Sequence, residues 1–347
     1  MTRFSLFRRG TEFLGCRYPI LCGAMTWVSD PGLVAAVCNA GGFASLAGGN
    51  APAEAVERQI LRTRELTSAP FGVNLITISP AFKEQLDMVC RLGVTHVVFA
   101  GGIPRADDIQ RAKASGAKSM CFAATASLAD RLVRSGADAL ILEGCESGGH
   151  IGAVSLGVLL QEVLFQYRDT LPVFVAGGLA TGRIAAHLLL AGAAGIQMGS
   201  VFVASEECAV HPAFKQAFIR ANARDAVGTA AIDPRLRVSP VRVLKNKGFL
   251  RFGEYQLELL AKLNAGEISG ADAMLLSENF WAGSLRKAAQ DGDVDNGSVM
   301  AGQSVGLIHA VRSVNDIIQG ILAEIDDELA RVRGVAGDVA GQGERVP

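Results

Sequence analysis

The sequence predicts a (β/α)8 barrel, an α/β fold, with a mainly helical cap inserted after the eighth strand. Three observations carry this. From Tyr18 to Val203, short apolar runs alternate with amphipathic stretches, and the alternation counts to eight strand-and-helix units in about the length such a barrel needs. Helix-like segments end on Ala40-Gly41, Ser115-Gly116, Ser135-Gly136 and Ala191-Gly192, where glycine supplies a left-handed cap. Glycines also follow the strand-like runs, at Gly23, Gly48-Gly49, Gly101-Gly102, Gly144, Gly177-Gly178 and Gly199. In a barrel those loops share the face on which active sites form. A doubly wound open sheet is the competitor, but the chain lacks an N-terminal GxGxxG.

The strands are expected at residues 19–22, 44–47, 72–75, 96–99, 119–123, 139–142, 173–176 and 195–198. Each is a short apolar run bounded by turn residues, as strands of a buried parallel sheet are. Helices are expected at residues 31–39, 54–65, 82–92, 106–114, 128–134, 157–167, 182–190 and 212–221. Beyond Val203 the rhythm changes. Residues 206–303 read as the cap, with helices at 254–263 and 271–276. Residues 304–333 return as helix to the barrel of residues 1–205, and the polar, glycine-rich tail 334–347 reads as disordered.

Composition excludes several classes of function. A net charge of −1 gives no general affinity for polyanions, so nucleic acid is not an expected partner. The seven cysteines are scattered without a CxxC pair, as reduced thiols of a cytoplasmic protein are. The basic N-terminus has no apolar core of a signal peptide, and no apolar run is long enough to span a bilayer. His96, His187, His211 and His309 do not form metal-ligand spacings, and His211 before Pro212 reads as a helix cap. Asp291, Asp293 and Asp295 alternate like a calcium loop but lack its later ligands, so no metal site is expected there.

The most informative stretch runs from Glu143 to Gly152, Glu-Gly-Cys-Glu-Ser-Gly-Gly-His-Ile-Gly, directly after the sixth strand. A glycine-rich loop lets backbone approach a ligand, and His150 places there a side chain that titrates near neutrality. One and two units later, Gly177-Gly178 and Gly199-Ser200 each end a strand and open a helix. Loops at these barrel positions commonly bind phosphate, using backbone N–H groups and a helix N-terminus.

Several segments together resemble the flavin-dependent type II enoyl-acyl-carrier-protein reductases (FabK type), within the nitronate monooxygenase superfamily. They are Tyr18-Pro19-Ile20; Gly23-Ala24-Met25-Thr26-Trp27; Gly48-Gly49-Asn50-Ala51-Pro52; Pro70-Phe71-Gly72-Val73-Asn74; the Gly-Gly-His loop; Ala176-Gly177-Gly178; His211-Pro212; Val241-Arg242 with Lys245-Asn246; and residues 291–303. The resemblance covers almost the whole chain. It implies bound FMN, NADPH or NADH as co-substrate, a monovalent cation near the flavin in some relatives, and a homodimer. It implies an enoyl thioester on acyl carrier protein or CoA as substrate, in fatty-acid or polyketide synthesis, with nitronate monooxygenase and quinone reductase as the rival activities. Matching positions assign flavin contacts to Gly23, Ala24, Met25, Asn74, Gly177, Gly178, Gln197, Gly199 and Ser200. Glu143, Ser147 and Gly148 lie close by, Ala301, Gly302 and Gln303 reach in from the returning segment, and His150 matches the catalytic histidine. Cys22 departs from the pattern, standing where the family usually has glutamine. The cations Arg235, Arg237, Arg242, Lys245, Lys247 and Arg251 are candidates for docking an acidic carrier.

Overall fold

A computed structural model describes residues 2–342. Eight parallel strands close a barrel: β1 (Ile20–Cys22), β2 (Phe43–Ala47), β3 (Gly72–Ile76), β4 (His96–Ala100), β5 (Lys118–Ala123), β6 (Ala139–Glu143), β8 (Val173–Ala176) and β9 (Gly195–Met198). Between β6 and β8 lies the two-residue β7 (Gly149–His150), outside the barrel. Closure runs through β1 and β9, where Leu21 faces Gln197. Every expected barrel strand is present, with ends shifted by a residue or so. The runs are legible because both faces are buried, one under helices and one inside the barrel.

The bottom of the barrel is closed by a helix the sequence reading did not place, Arg3–Leu14. Phe7, Gly10 and Leu14 are its buried positions, spaced one helical face apart. Leu14 packs with Leu21, Phe43, Val98, Met120, Ile141 and Phe174 from the strands, and Phe13 joins from the side. His96 is buried there, its Nε2 3.0 Å from the Phe13 carbonyl. Burial lowers its pKa to about 4, so it stays neutral at physiological pH and is a packing residue.

After β9 the chain forms the helix Pro212–Arg220, whose Phe214 and Phe218 are buried in the same core as the barrel helices. His211 caps it, Nδ1 accepting from the Ala213 amide at 3.1 Å. A second core follows, built from Leu236, Val241, Val243, Phe252, Leu259 and Trp281. The helices that carry it, Lys247–Asn264 and Gly270–Ala289, are longer than the sequence suggested. Asn246 caps the first, and a Ser269/Asp272 capping box starts the second. The rings of Phe252 and Trp281 lie 4.1 Å apart between them.

The cap also has a small sheet. Strands β10 (Ala226–Gly228) and β11 (Val241–Leu244) pair antiparallel, and β7 adds to the edge of β11. Val241 faces His150 and Arg242 faces Gly149. The Gly-Gly-His loop is therefore a rung of the cap's sheet.

The final helix, Val314–Gln342, packs on the helix Gly182–Leu190. It takes in residues 334–342, which composition read as disordered, because the helix begun by the apolar stripe of Ile317, Ile318, Ile321, Leu322 and Ile325 continues through them. The rest of that expected tail, residues 343–347, lies outside the described residues. No helix among the described residues is long and apolar enough to cross a membrane.

Phe252 joins both cap helices, so Phe252→Ala is expected to cost about 3–5 kcal/mol locally. Chemical denaturation combined with limited proteolysis should place the loosened region in residues 236–289 while the barrel stays resistant.

Candidate active site

The loops after the barrel strands and the underside of the cap enclose a cavity of about 280 Å³. Of the residues singled out from sequence, Gly23, Ala24, Met25, Asn74, Glu143, Ser147, Gly148, His150, Gly177, Gly178, Gln197, Gly199, Ser200 and Gly302 all line it. Ala301 and Gln303 do not. Ala301 is fully buried, wedged against the Gly148 backbone. Gln303 donates its amide to the Glu146 carbonyl at 2.9 Å, and its side chain lines an adjoining open cleft with Glu146 and Gly178.

Cys22 is buried at 1 % exposure and does not line the cavity. Burial pushes its thiol well above the ordinary range, so it acts as a small packing residue.

The glycines make the cavity. Gly177 has φ +96°, and a Cβ there would lie 2.9 Å from the Gly144 backbone nitrogen. Both the dihedral and the close approach exclude other residues. A Cβ on Gly148 would lie 2.6 Å from the Ala301 carbonyl carbon, so the Gly-Gly-His loop rests directly on the returning segment. That segment is tied down again where the Gly302 amide donates to Ser200 Oγ at 3.1 Å. The sequence reading also assigned a helix N-terminus to the phosphate site. At Gly182 that donor is already taken, because its amide gives a 2.6 Å hydrogen bond to Glu324 Oε2. Amides of the 177–178 and 199–200 loops remain as donors.

His150 closes the opposite side. Its Nε2 lies 3.0 Å from both carboxylate oxygens of Glu278, on the cap helix Gly270–Ala289. About 39 % of the His150 side chain is accessible because it opens on the cavity, while protein surrounds the rest. Burial alone would lower the imidazole pKa. The hydrogen bond and charge of Glu278, with the charge of Glu143, outweigh burial and hold it above the ordinary 6.5. Glu143 ends β6 at the cavity wall, and burial pushes its carboxyl up to about 7. The Ser147 hydroxyl beside it and the nearby His150 charge offset part of that shift. Ser147 Oγ is buried without reaching a partner of ordinary hydrogen-bond geometry.

Arg242 anchors the loop from the cap side. Its Nε and an NH2 donate to the Cys145 carbonyl at 3.1 and 2.9 Å, and NH1 donates to the Ala226 carbonyl at 2.7 Å. On the other rim, Trp27 has φ +64°, strained for a bulky residue. It is held by two bonds to the cap: its Nε1 donates to the Ala282 carbonyl at 3.0 Å, and its own carbonyl accepts from Gln290 Nε2 at 2.7 Å. Apolar wall is added by Trp281, Leu285 and Met300. Sequence reasoning missed Glu278 and Trp281. The available signal was the Ser-x-x-Asp box at Ser269, which starts a helix long enough to reach the barrel mouth.

Half of the six surface cations are engaged. Arg242 points inward, Arg235 pairs with Asp233, and Arg251 pairs with Glu254 and Glu258. Of the six, Arg237, Lys245 and Lys247 remain exposed without such a pairing among the described residues.

The geometry is a glycine-walled cavity at the mouth of a (β/α)8 barrel, and comparison with known proteins gives its class. The nitronate monooxygenase family matches residues 8–89 and 76–324, and the chain belongs to that family. FabK from Thermotoga maritima is 36 % identical, with a TM-score of 0.83, over 96 % of this chain and 99 % of that one. A nitroalkane oxidase from Streptomyces ansochromogenes is 26 % identical, with a TM-score of 0.75, over 93 % and 99 %. A (3aS,4S,5R,7aS)-5-hydroxy-7a-methyl-1-oxo-octahydro-1H-indene-4-carboxyl-CoA dehydrogenase from Rhodococcus jostii is 30 % identical, over 90 % of this chain and 94 % of its own length. The protein is a flavin-dependent oxidoreductase.

The residues present fit FMN. Ser147 Oγ is buried without a partner of ordinary hydrogen-bond geometry, and Asn74 and Gln197 line the wall with amide side chains.

Two outcomes follow. Gly177→Ala is expected to cost about 1–3 kcal/mol through backbone strain, read by denaturation, and to lower flavin retention, read by absorbance. Glu143 has a folded pKa raised from 4.5 to about 7, so the stability linked to its protonated form is complete below 4.5 and lost as pH rises through 7. Glu143→Gln should flatten the fall in stability between those two pH values, and an unchanged fall would show that another group causes it.

Proposed function

We propose that this protein reduces the trans-2 double bond of an enoyl thioester, using NADPH or NADH and bound FMN. The observation that carries the reading is His150, an imidazole at the wall of a glycine-lined cavity, held at Nε2 by Glu278, which raises its pKa. The identity to FabK over nearly the whole of both chains supports it. So does the relative whose name specifies a carboxyl-CoA compound. FMN, when bound, would supply hydride transfer from the nicotinamide to the β-carbon of the substrate.

The chain's own residues do the rest. The glycine loops at 177–178 and 199–200 would hold the phosphate through backbone amides. Asn74 and Gln197 would hydrogen-bond the polar edge of the ring system or its ribityl chain. Trp281, Leu285 and Met300 line the mouth and keep water from the acyl chain. His150 would donate a proton to the α-carbon or hydrogen-bond the thioester oxygen, where negative charge develops. Arg237, Lys245 and Lys247 are the exposed cations left to meet an acidic carrier.

Nitronate oxidation is the second reading, favoured by the family match and the nitroalkane oxidase likeness. It asks His150 to act as a base, which needs the neutral imidazole.

Anaerobic stopped-flow tests the choice. NADPH or NADH should bleach the flavin, and an enoyl thioester should restore it without oxygen. His150→Ala should slow that second step by about 10²–10⁴-fold while the flavin spectrum persists. Reoxidation by oxygen and a nitronate, but not by the thioester, would overturn the reading.

A further inference from the structure

We propose that Glu278 is the positioning residue for His150: its carboxylate takes the Nε2 hydrogen and turns Nδ1 towards the reacting carbon. Glu278 is carried by the cap helix and His150 by the loop after β6, so the pair spans the cavity mouth. Both carboxylate oxygens stand 3.0 Å from Nε2, so its single N–H is shared between them and fixes Nε2 on Glu278. Among the described residues Nδ1 makes no hydrogen bond with the protein, while the imidazole lines the cavity. Nδ1 is therefore the ring nitrogen left available to a substrate in that cavity.

The charged groups around the ring leave Glu278 as its direct partner. Glu143 lies across the cavity end of β6 and acts only through its charge. Arg242, on the strand paired with that of His150, turns its guanidinium to the Cys145 and Ala226 carbonyls instead. Glu146 is engaged with the Leu156 amide. Glu278 itself is enclosed, with 13 % of its side chain accessible, so its charge is screened little by solvent.

For the reaction the inference rests on the enoyl-thioester reading. Hydride arrival at the β-carbon moves the double-bond electrons onto the α-carbon and thioester oxygen. The Nδ1 proton then forms the new α-carbon–hydrogen bond. His150 is left neutral with its Nε2 hydrogen still on Glu278, and water returns the proton to Nδ1. The carboxylate keeps the ring in place through both protonation states, as an orienting acid does for a catalytic histidine.

The test follows histidine nitrogen resonances of the holoenzyme with labelled imidazoles, the His150 signal being assigned by its loss in His150→Gln. In the wild type, the neutral form should carry its proton on Nε2, and the ring should titrate above the ordinary histidine value. In Glu278→Gln, which keeps the shape, the titration should fall by roughly 1–3 pH units. Glu278→Asp, which keeps the charge, should restore part of that shift. A glutamine variant that titrates as the wild type does, or a neutral form with its proton on Nδ1, would overturn the proposal. These signals do not depend on the electron acceptor, so they succeed or fail separately from the enoyl-thioester activity.

Discussion

His150 is attached to the cap twice, and the site depends on that. In sequence it follows β6 of the barrel. In space its backbone is an edge rung of the cap sheet, opposite Val241, and its Nε2 meets Glu278 of the cap helix. The barrel supplies the glycine cradle, and the cap supplies the orientation of the proton donor. Neither alone makes the site. The other links across the mouth serve the same end. Arg242 fastens the base of the loop, and Trp27 holds the cap helix from the opposite rim despite an unfavourable backbone angle. Strain of that kind persists only where surrounding contacts over-determine it.

The electrostatics follow from this enclosure. Two acids and one imidazole face one small space, and burial costs every charged form in it. The acid without a full partner, Glu143, responds by holding its proton up to about pH 7. The imidazole has a partner and responds in the opposite sense, its pKa raised by Glu278 and Glu143 against burial. Both shifts therefore favour the protonated forms. That suits a reaction in which negative charge appears on the substrate and must be quenched.

Much of this was legible in the sequence, for physical reasons. Barrel strands are short apolar runs buried on both faces, and the glycines after them mark close backbone approach. That is why all eight strands and the His150 loop were found. The less legible parts depend on partners distant in the chain. β7 has only two residues and exists because β11 lies beside it. Glu278 sits mid-helix with nothing in its neighbours to mark it out. The plug helix Arg3–Leu14 carried its signal in Phe7, Gly10 and Leu14, but its apolar face was masked by basic neighbours. The cations from Arg235 to Arg251 read as one docking patch. In the fold, one of them turns inward and two are paired with acids.

The central claim is that His150 enters the substrate half-reaction with its proton on. The most direct measurement is the pH dependence of flavin reoxidation by an enoyl thioester, taken anaerobically on pre-reduced enzyme. The account predicts a rate that falls as pH rises, on one ionisation centred above 6.5 that disappears in His150→Ala. A rate that rises with pH through 6.5 would mean that the neutral imidazole is the working form, and would contradict it.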